Sequence, residues 1–167
     1  MSTPADPVTV ADLADRAAVT DVVARLAHAQ DDRDWPALRA LFADEVLVDL
    51  SAHHHGTPPT TVPATELVAL ARSTLDGFDH THHTATDLLL RLSGDEAECR
   101  AHVVALHHLT TGPDVVDHCT MRGLWRLGLR RSDGRWLVDR WAVVRTAPWE
   151  GSPRIYALAA ARVAPPS

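Results

Sequence analysis

Several side chains on which enzymes and binding proteins commonly depend are scarce or absent in this sequence. All 16 basic residues are arginine, and asparagine does not occur. The lack of lysine excludes an imine intermediate on a lysine amine. The two cysteines, Cys99 and Cys119, are too few for a disulfide framework and do not have the spacing of a metal site. The single tyrosine, Tyr156, lies near the C-terminus.

Long apolar runs and an excess of positive charge are also missing. No run reaches the roughly 18 apolar residues that a membrane-spanning helix needs. The N-terminal residues lack the basic start and apolar centre of a signal peptide. The formal net charge of −6 disfavours nucleic-acid binding, which needs a basic surface. We therefore expect a cytoplasmic protein that has neither nucleic acid nor a membrane as partner.

The usual nucleotide and nucleophile motifs are absent as well. The chain has no phosphate-binding loop, no dinucleotide-binding glycine motif and no nucleophile elbow. Histidine, by contrast, occurs 11 times, and it is the side chain that titrates near neutral pH. We expect catalysis in this protein to draw on His, Asp, Glu, Arg, Ser, Thr or Trp side chains without a cofactor.

The apolar pattern changes from helical to strand-like along the chain. Helical spacing covers residues 11–30, a second short helix follows Asp34, and Pro63 opens a third that runs to Leu75. Gly77 stands where a C-cap glycine belongs. Alternating patterns then predict strands, after an earlier one at 45–50, over residues 87–92, 96–108, 119–131 and 136–146.

This order predicts an α+β fold. Helices followed by an antiparallel meander favour a strongly bent antiparallel sheet whose helices close a cone-shaped pocket, because such a sheet is concave on one side. We expect a flexible N-terminal arm at 1–10, a single domain at 11–158 and a C-terminal tail at 159–167.

The strand at 96–108 carries one candidate functional residue. Period-two alternation places Ala101, Val103, Ala105 and His107 on one small, apolar face with an imidazole at its end. A histidine in such a place is more often structural than functional. The pattern alone therefore leaves both interpretations of His107 open.

Two further clusters could carry chemistry. Asp31 follows the first apolar helix directly, where a carboxylate can either cap the helix in solvent or face the pocket and orient an imidazole. His80, His82 and His83 precede the strand at 87–92, where the simplest interpretation is a polar loop. Neither they nor His53–His55 have the spacing of a zinc site, so no metal is expected.

Longer stretches of the chain resemble a known family. Residues 29–38 and 41–44, then Thr81-His82-His83, Gly94-Asp95 and residues 130–136, resemble SnoaL-like proteins of the nuclear transport factor 2-like superfamily. The resemblance covers roughly residues 10–149. It implies the cone-shaped fold and a homodimer or larger homo-oligomer. The superfamily includes ketosteroid isomerase, limonene epoxide hydrolase, polyketide cyclases, scytalone dehydratase, dioxygenase small subunits and non-catalytic binding modules.

Within this superfamily the spacing is most similar to that of scytalone dehydratase relatives. The resemblance places their catalytic aspartate at Asp31 and their two catalytic histidines at His82 and His107. Several pocket residues differ from that pattern, since two tyrosines correspond to Gln30 and Leu50 and an asparagine to Trp125. The tyrosine common in the first helix of SnoaL-like proteins is Leu26. The expected substrate-binding residues are Leu26, Gln30, Leu50, Val103, Trp125 and Leu127.

These observations predict a cofactor-independent lyase or isomerase, of dehydratase or cyclase type, acting on a hydrophobic cyclic or polyketide-like metabolite. His82, oriented by Asp31, would remove a proton next to a carbonyl. His107 would supply a proton to the departing oxygen or hydrogen-bond to it. Whether His82 or His83 faces the pocket stays open. Two alternatives remain: a non-catalytic module that binds an apolar ligand or partner chain, and a small subunit of a ring-hydroxylating oxygenase.

Overall fold

The computed structural model describes residues 8–52 and 58–163. The histidines at 53–55, residues 1–7 of the predicted arm and residues 164–167 of the predicted tail lie outside the described residues. The helices are α1 (Val10–Asp31), α2 (Trp35–Ala40), α3 (Ala64–Leu75) and α4 (Ile155–Val163). The strands are β1 (Phe42–Asp49), β2 (Thr60–Pro63), β3 (His80–Ser93), β4 (Glu96–Gly112), β5 (Val115–Ser132), β6 (Arg135–Arg145) and β7 (Glu150–Gly151).

The strands form one strongly curved, open sheet, which confirms the predicted α+β class. Within the described ranges the sheet has seven strands in the order β2-β1-β6-β5-β4-β3, with β7 paired to β5. The pairing is antiparallel except between β1 and β6. The long strands β3 to β6 build the meander that the alternating pattern predicts. The helices cover its concave side and leave a hollow between the two layers.

Helix α1 forms because its ends are capped and its apolar residues share one stripe. Thr9 accepts a hydrogen bond from the backbone of Asp12, and the Asp12 carboxylate accepts one from Thr9 in return. Val19, Val23 and Leu26 are buried on the face that packs toward β3. The helix ends at Asp31, and this position places the Asp31 side chain at the edge of the hollow. No helix in the described part of the chain is long and apolar enough to cross a membrane.

The C-terminal helix α4 crosses the predicted boundary at residue 158. Its Ile155 and Ala159 are buried in a second small core together with Leu75 and Phe78. A Cβ atom added to Gly77 would lie 1.9 Å from the backbone oxygen of Ala159. Gly77 therefore permits α4 to approach the end of α3 closely. Gly77 directly follows the C-cap residue Asp76, which is where the sequence places a C-cap glycine, but it does not adopt the positive φ of a left-handed cap.

Strand β3 is longer than predicted and changes phase in its middle. It begins at His80 rather than at Asp87, so the histidines expected in a loop belong to the strand. A β-bulge interrupts the pairing with β4 between Thr86 and Leu89, and Asp87 adopts a φ of 53° there. Before the bulge the odd-numbered residues turn inward, and after it the even-numbered ones do. The bulge therefore decides which histidine faces the helices.

Candidate active site

A cavity of about 230 Å³ lies between the concave face of the sheet and the helices. This volume is slightly below the about 300–1,000 Å³ of typical small-molecule sites. It suits a compact molecule of one or two rings. The lining is mostly apolar, with a few polar side chains among the apolar ones. The lining residues are Gln30, Val48, Leu50, Leu67, Leu70, Ala71, Thr74, Leu75, His83, Ala105, His107, Met121, Trp125, Trp141, Val143 and Tyr156.

Asp31 and His83 form a close pair at one side of this cavity. The His83 Nδ1 atom lies 2.7 Å from Asp31 Oδ1, and the backbone N–H of His83 donates to Oδ2 at 2.7 Å. The Thr81 hydroxyl donates to Oδ1 at 3.0 Å. Partial burial alone would raise the pKa of Asp31, but the hydrogen bonds from the His83 ring and backbone outweigh it and lower that pKa below its ordinary value. Asp31 is thus held as a carboxylate.

The prediction that His82 faces the cavity is wrong. The His82 side chain is 70 % exposed and its Nδ1 lies 3.9 Å from Asp31, whereas the His83 side chain is only 7 % exposed and lines the cavity. The β-bulge at Asp87 is the physical reason. Uninterrupted alternation from the inward-facing Leu88 and Leu90 back along the strand would have turned His82 inward.

His107 lies in the cavity on the inward face of β4, as the strand pattern predicts, and the inward row continues to the buried Leu109. His107 is 97 % buried, since only 3 % of its surface is exposed. Its ring contacts that of His83 edge to face, with the centroids 5.4 Å apart. Burial, together with the neighbouring His83, lowers the pKa of His107 to about 3. The ring of His107 is therefore neutral at physiological pH.

Tyr156, from α4, completes the polar part of the cavity wall. Its hydroxyl lies 3.1 Å from His107 Nδ1, and burial raises the pKa of the phenol above its ordinary value. Two indoles form the opposite wall. Trp125 stacks near His83 at a centroid distance of 6.2 Å, and Trp141 meets Trp125 edge to face at 5.6 Å.

The predicted substrate-binding residues divide into two groups. Gln30, Leu50 and Trp125 line the cavity. Leu26, Val103 and Leu127 do not, because they are buried in the hydrophobic core that supports it. In α1, Leu26 packs one turn before Gln30, whose side-chain amide donates to the Leu26 carbonyl at 2.8 Å. These three residues thus belong to the packing layer behind the cavity wall, and the prediction that they line the cavity is wrong.

The sequence interpretation missed several residues of the cavity. Tyr156 had a signal, since it is the single tyrosine of the chain, but its place near the C-terminus hides its contact with His107. Met121 occupies an inward position that a count of alternation along β5 would have found, whereas a register shift at Asp139 changes the phase of β6 before Trp141. Leu67 and Leu70 lie on the apolar face of α3. The indole N–H of Trp141 is buried and has no acceptor among the described residues.

The arrangement has the parts of an acid–base site in an apolar setting. Because Asp31 accepts the Nδ1–H of His83, the lone pair of His83 lies on Nε2, where it can accept a proton. His107 adds a second, neutral imidazole, whose ring centroid lies 5.4 Å from that of His83. The apolar walls keep the dielectric constant low, which strengthens each polar contact with a bound molecule.

The chain was compared with known families and proteins. Residues 11–142 match the model of the SnoaL-like domain. No curated protein matches the chain significantly.

Solved structures share the fold over most of the chain. A candidate aromatic ring hydroxylase from Novosphingobium aromaticivorans is 24 % identical, with a TM-score of 0.74 over 87 % of this chain and 97 % of that one. A candidate scytalone dehydratase from the same organism is 19 % identical, with a TM-score of 0.71 over 84 % and 89 %. A hexachlorocyclohexane dehydrochlorinase, LinA type 2, is 20 % identical, with a TM-score of 0.70 over 84 % and 90 %. At these identities the likeness concerns the fold, which is nuclear transport factor 2-like.

Proposed function

The chain belongs to the SnoaL-like domain family, and from this premise and the geometry of the cavity we propose that it is a cofactor-independent lyase or isomerase. Its substrate would be a compact, hydrophobic cyclic molecule with an acidic C–H next to a carbonyl. The observation that carries the proposal is the buried pair of His83 and Asp31, with Nδ1 and Oδ1 2.7 Å apart and the His83 ring in the cavity wall.

In the proposed reaction His83 acts as the base. Its Nε2 removes the proton next to the carbonyl, and the electron pair of that C–H bond forms a C=C bond. For an isomerase the proton returns to another carbon. For a dehydratase the C–O bond on the adjacent carbon breaks, and the oxygen takes the proton back from His83 and leaves as water. A positioned base of this kind contributes roughly 10²- to 10⁴-fold to the rate.

Of the two roles predicted for His107, this proposal takes the hydrogen bond to the departing oxygen. A ring with a pKa of about 3 is neutral at physiological pH and holds no additional proton to give away. His107 would therefore stabilise the developing negative charge on oxygen through a hydrogen bond. The structure thus favours the second of the two roles expected for His107.

Relatives support the reaction class without identifying the substrate. A candidate scytalone dehydratase and a hexachlorocyclohexane dehydrochlorinase share this fold, and both names denote an elimination, which removes a hydrogen and a leaving group. The small cavity favours one or two rings over a large polyketide. A homodimer or larger homo-oligomer, as expected from the resemblance, remains part of the proposal.

Proton abstraction can be tested before the substrate is known. The protein is incubated with cyclohexanone, 2-tetralone or a decalone in deuterium oxide, and exchange of the protons next to the carbonyl is followed by NMR. The wild type is expected to accelerate exchange of at least one ketone. His83→Ala should lower the catalysed rate by roughly 10²- to 10⁴-fold.

His82→Ala is the matched control, because His82 is the adjacent histidine with an exposed side chain. It should leave the exchange rate essentially unchanged. Circular dichroism verifies that both variants are folded. Exchange that is equally fast with wild type and His83→Ala would refute the proposed base. Quenching of tryptophan fluorescence by a ketone that is not exchanged would instead identify a binding protein, because Trp125 and Trp141 line the cavity.

A further inference from the structure

Tyr156 reaches the cavity from outside the part of the chain that matches the family model. That model ends at residue 142, whereas Tyr156 lies in α4. Its ring packs edge-on against Phe78 at 5.2 Å and lies tilted against His107 at 5.1 Å. Its hydroxyl is 3.1 Å from His107 Nδ1. A family motif therefore does not predict this contact, and the docking of α4 creates it.

The Tyr156 hydroxyl can act as the donor in this hydrogen bond. Burial raises the pKa of the Tyr156 phenol, so that its hydroxyl keeps a proton near neutral pH. A buried O–H without an acceptor is costly, and the Nδ1 atom of His107 is the acceptor that the structure records for it. A neutral imidazole carries one N–H and one lone pair. If Nδ1 accepts from Tyr156, the hydrogen of His107 is on Nε2.

Other groups around His107 act on its charge. The neighbouring His83 and His108 disfavour a protonated ring, whereas a hydrogen bond to the Cys119 backbone across the β4–β5 pair and the nearby Asp31 carboxylate favour one. Burial is the largest influence and keeps the ring neutral. Tyr156 is the neighbour whose side chain bonds a specified ring nitrogen. Among the side chains around His107, Tyr156 is thus the one placed to select between the two neutral tautomers.

We propose that Tyr156 is a positioning residue that holds His107 as the Nε2–H tautomer, so that His107 offers a hydrogen-bond donor to the cavity. The two imidazoles then have opposite parts. Asp31 makes His83 an acceptor at Nε2, and Tyr156 makes His107 a donor at Nε2. A ligand that uses both would carry an acidic C–H near His83 and an acceptor oxygen near His107. The catalytic consequence rests on the proposed function, but the tautomer does not.

The tautomer is measured without any substrate. The protein is labelled with ¹⁵N-histidine, and long-range ¹H–¹⁵N correlation spectra distinguish protonated from unprotonated ring nitrogens. Loss of signals in His107→Gln assigns the residue. In the wild type, His107 should show an unprotonated Nδ1 and a protonated Nε2 near neutral pH. In Tyr156→Phe, which keeps the aromatic packing, the Nδ1–H form should appear.

A matched control separates the hydroxyl of Tyr156 from any loss of polarity in the cavity. Thr74→Val removes another hydroxyl from the lining, one that donates to the Leu70 carbonyl rather than to His107. It should leave the His107 tautomer as in the wild type. Two results would overturn the proposal: a protonated Nδ1 in the wild type, or an unchanged tautomer in a folded Tyr156→Phe variant.

A second measurement covers the case in which Tyr156→Phe does not fold. Because the chain has a single tyrosine, biosynthetic 3-fluorotyrosine labels this position alone. The fluorinated phenol is the stronger acid and hence the stronger donor. The ¹⁵N resonance of Nδ1 should therefore shift in the direction of a stronger accepted hydrogen bond, while Nε2 stays protonated. An Nδ1 resonance that does not respond to fluorination contradicts the proposal.

Turnover adds a readout that tells the two proposals apart. If the wild type exchanges a ketone, Tyr156→Phe should lower kcat by roughly tenfold or more with little change in KM. A tenfold rise in KM with an unchanged kcat would indicate a structural role and count against positioning. If the wild type exchanges no ketone, the proposed reaction fails, and the NMR result still decides the tautomer.

Discussion

Two histidine–carboxylate pairs lie on opposite faces of the same sheet, and they differ in almost everything except residue type. On the concave face His83 and Asp31 are 2.7 Å apart, with side chains 7 % and 15 % exposed. On the convex face His102 and Asp87 are 3.2 Å apart, with side chains 61 % and 75 % exposed. The His83 ring of the inner pair lines the cavity described above.

The difference shows that burial, rather than pairing, gives such a pair its chemical capacity. In water, the attraction between exposed charges is weak and is screened by salt. On the concave face the apolar walls reduce that screening, and Asp31 is fixed by three donors at once. The same residue types thus form a solvent-exposed pair on the convex face, whereas on the concave face the carboxylate of Asp31 orients the His83 ring. The predictions below test this contrast between the faces.

The largest effect is expected from the packing of the concave face. Trp125 is 2 % exposed and adjoins both His83 and Trp141. Trp125→Ala should lower the free energy of unfolding by about 3–5 kcal/mol. The next residue, Arg126, is exposed on the convex face, and Arg126→Ala should change it by no more than about 0.5 kcal/mol. Urea titrations give both values, and similar losses for the two variants would contradict the assignment of faces.

The next effect concerns the inner carboxylate. Asp31→Asn removes the charge that accepts from His83 and Thr81, and it should cost about 1–3 kcal/mol of stability at neutral pH. Because the folded-state pKa of Asp31 is below 3.8, its contribution is fully present above that pH and is lost as the pH falls through the folded pKa. The difference in the free energy of unfolding between the wild type and Asp31→Asn, measured by urea titration, should therefore shrink below pH 3.8. A difference that is independent of pH would contradict the charged pair.

The third prediction uses the neutral state of His107. Its pKa falls from 6.5 to about 3 in the folded protein, so the unfolded chain binds a proton first as the pH decreases. His107 should therefore reduce stability between pH 6.5 and about 3, by up to about 1.4 kcal/mol per pH unit. His107→Leu should flatten this slope in urea titrations at several pH values. Leu106→Gln, on the convex face, carries no titrating group and should keep it.

The smallest effect is expected for the outer pair. Asp87→Asn removes the charge next to His102, and asparagine tolerates the positive φ of 53° at the bulge. The free energy of unfolding should change by no more than about 0.5 kcal/mol, and any change should diminish at high salt. A loss as large as that of Asp31→Asn would mean that the two faces do not differ as described.

Much of the fold could be predicted from the chain because local patterns carry it. The stripe on α1, the proline before α3 and the alternation on β4 and β5 each reflect one element, and each appears in the structure. The family resemblance is confirmed by the match over residues 11–142. The predicted catalytic and substrate-binding roles remain predictions, although Asp31 and His107 do lie at the cavity.

The errors occurred where distant contacts determine the outcome. The resemblance places the catalytic histidine at His82, and alternation alone does not locate the bulge that turns His83 inward instead. Leu26 and Val103 were assigned to the lining, because periodicity separates inside from outside and does not separate the core from a cavity within it. Tyr156 was missed because its contact with His107 joins residues 49 positions apart.

The sequence by itself determined the class of the fold and the inward face of β4 that carries His107, and its composition excluded catalysis by a lysine amine. These follow from composition and from short-range periodicity, which the backbone geometry of helices and strands imposes on neighbouring residues. Only the tertiary structure decided that His83 meets Asp31 and that Tyr156 meets His107. The first contact depends on the one-residue shift at the bulge in β3, and the second depends on the packing of α4 against Gly77. Both are set by packing between segments that are far apart in the chain.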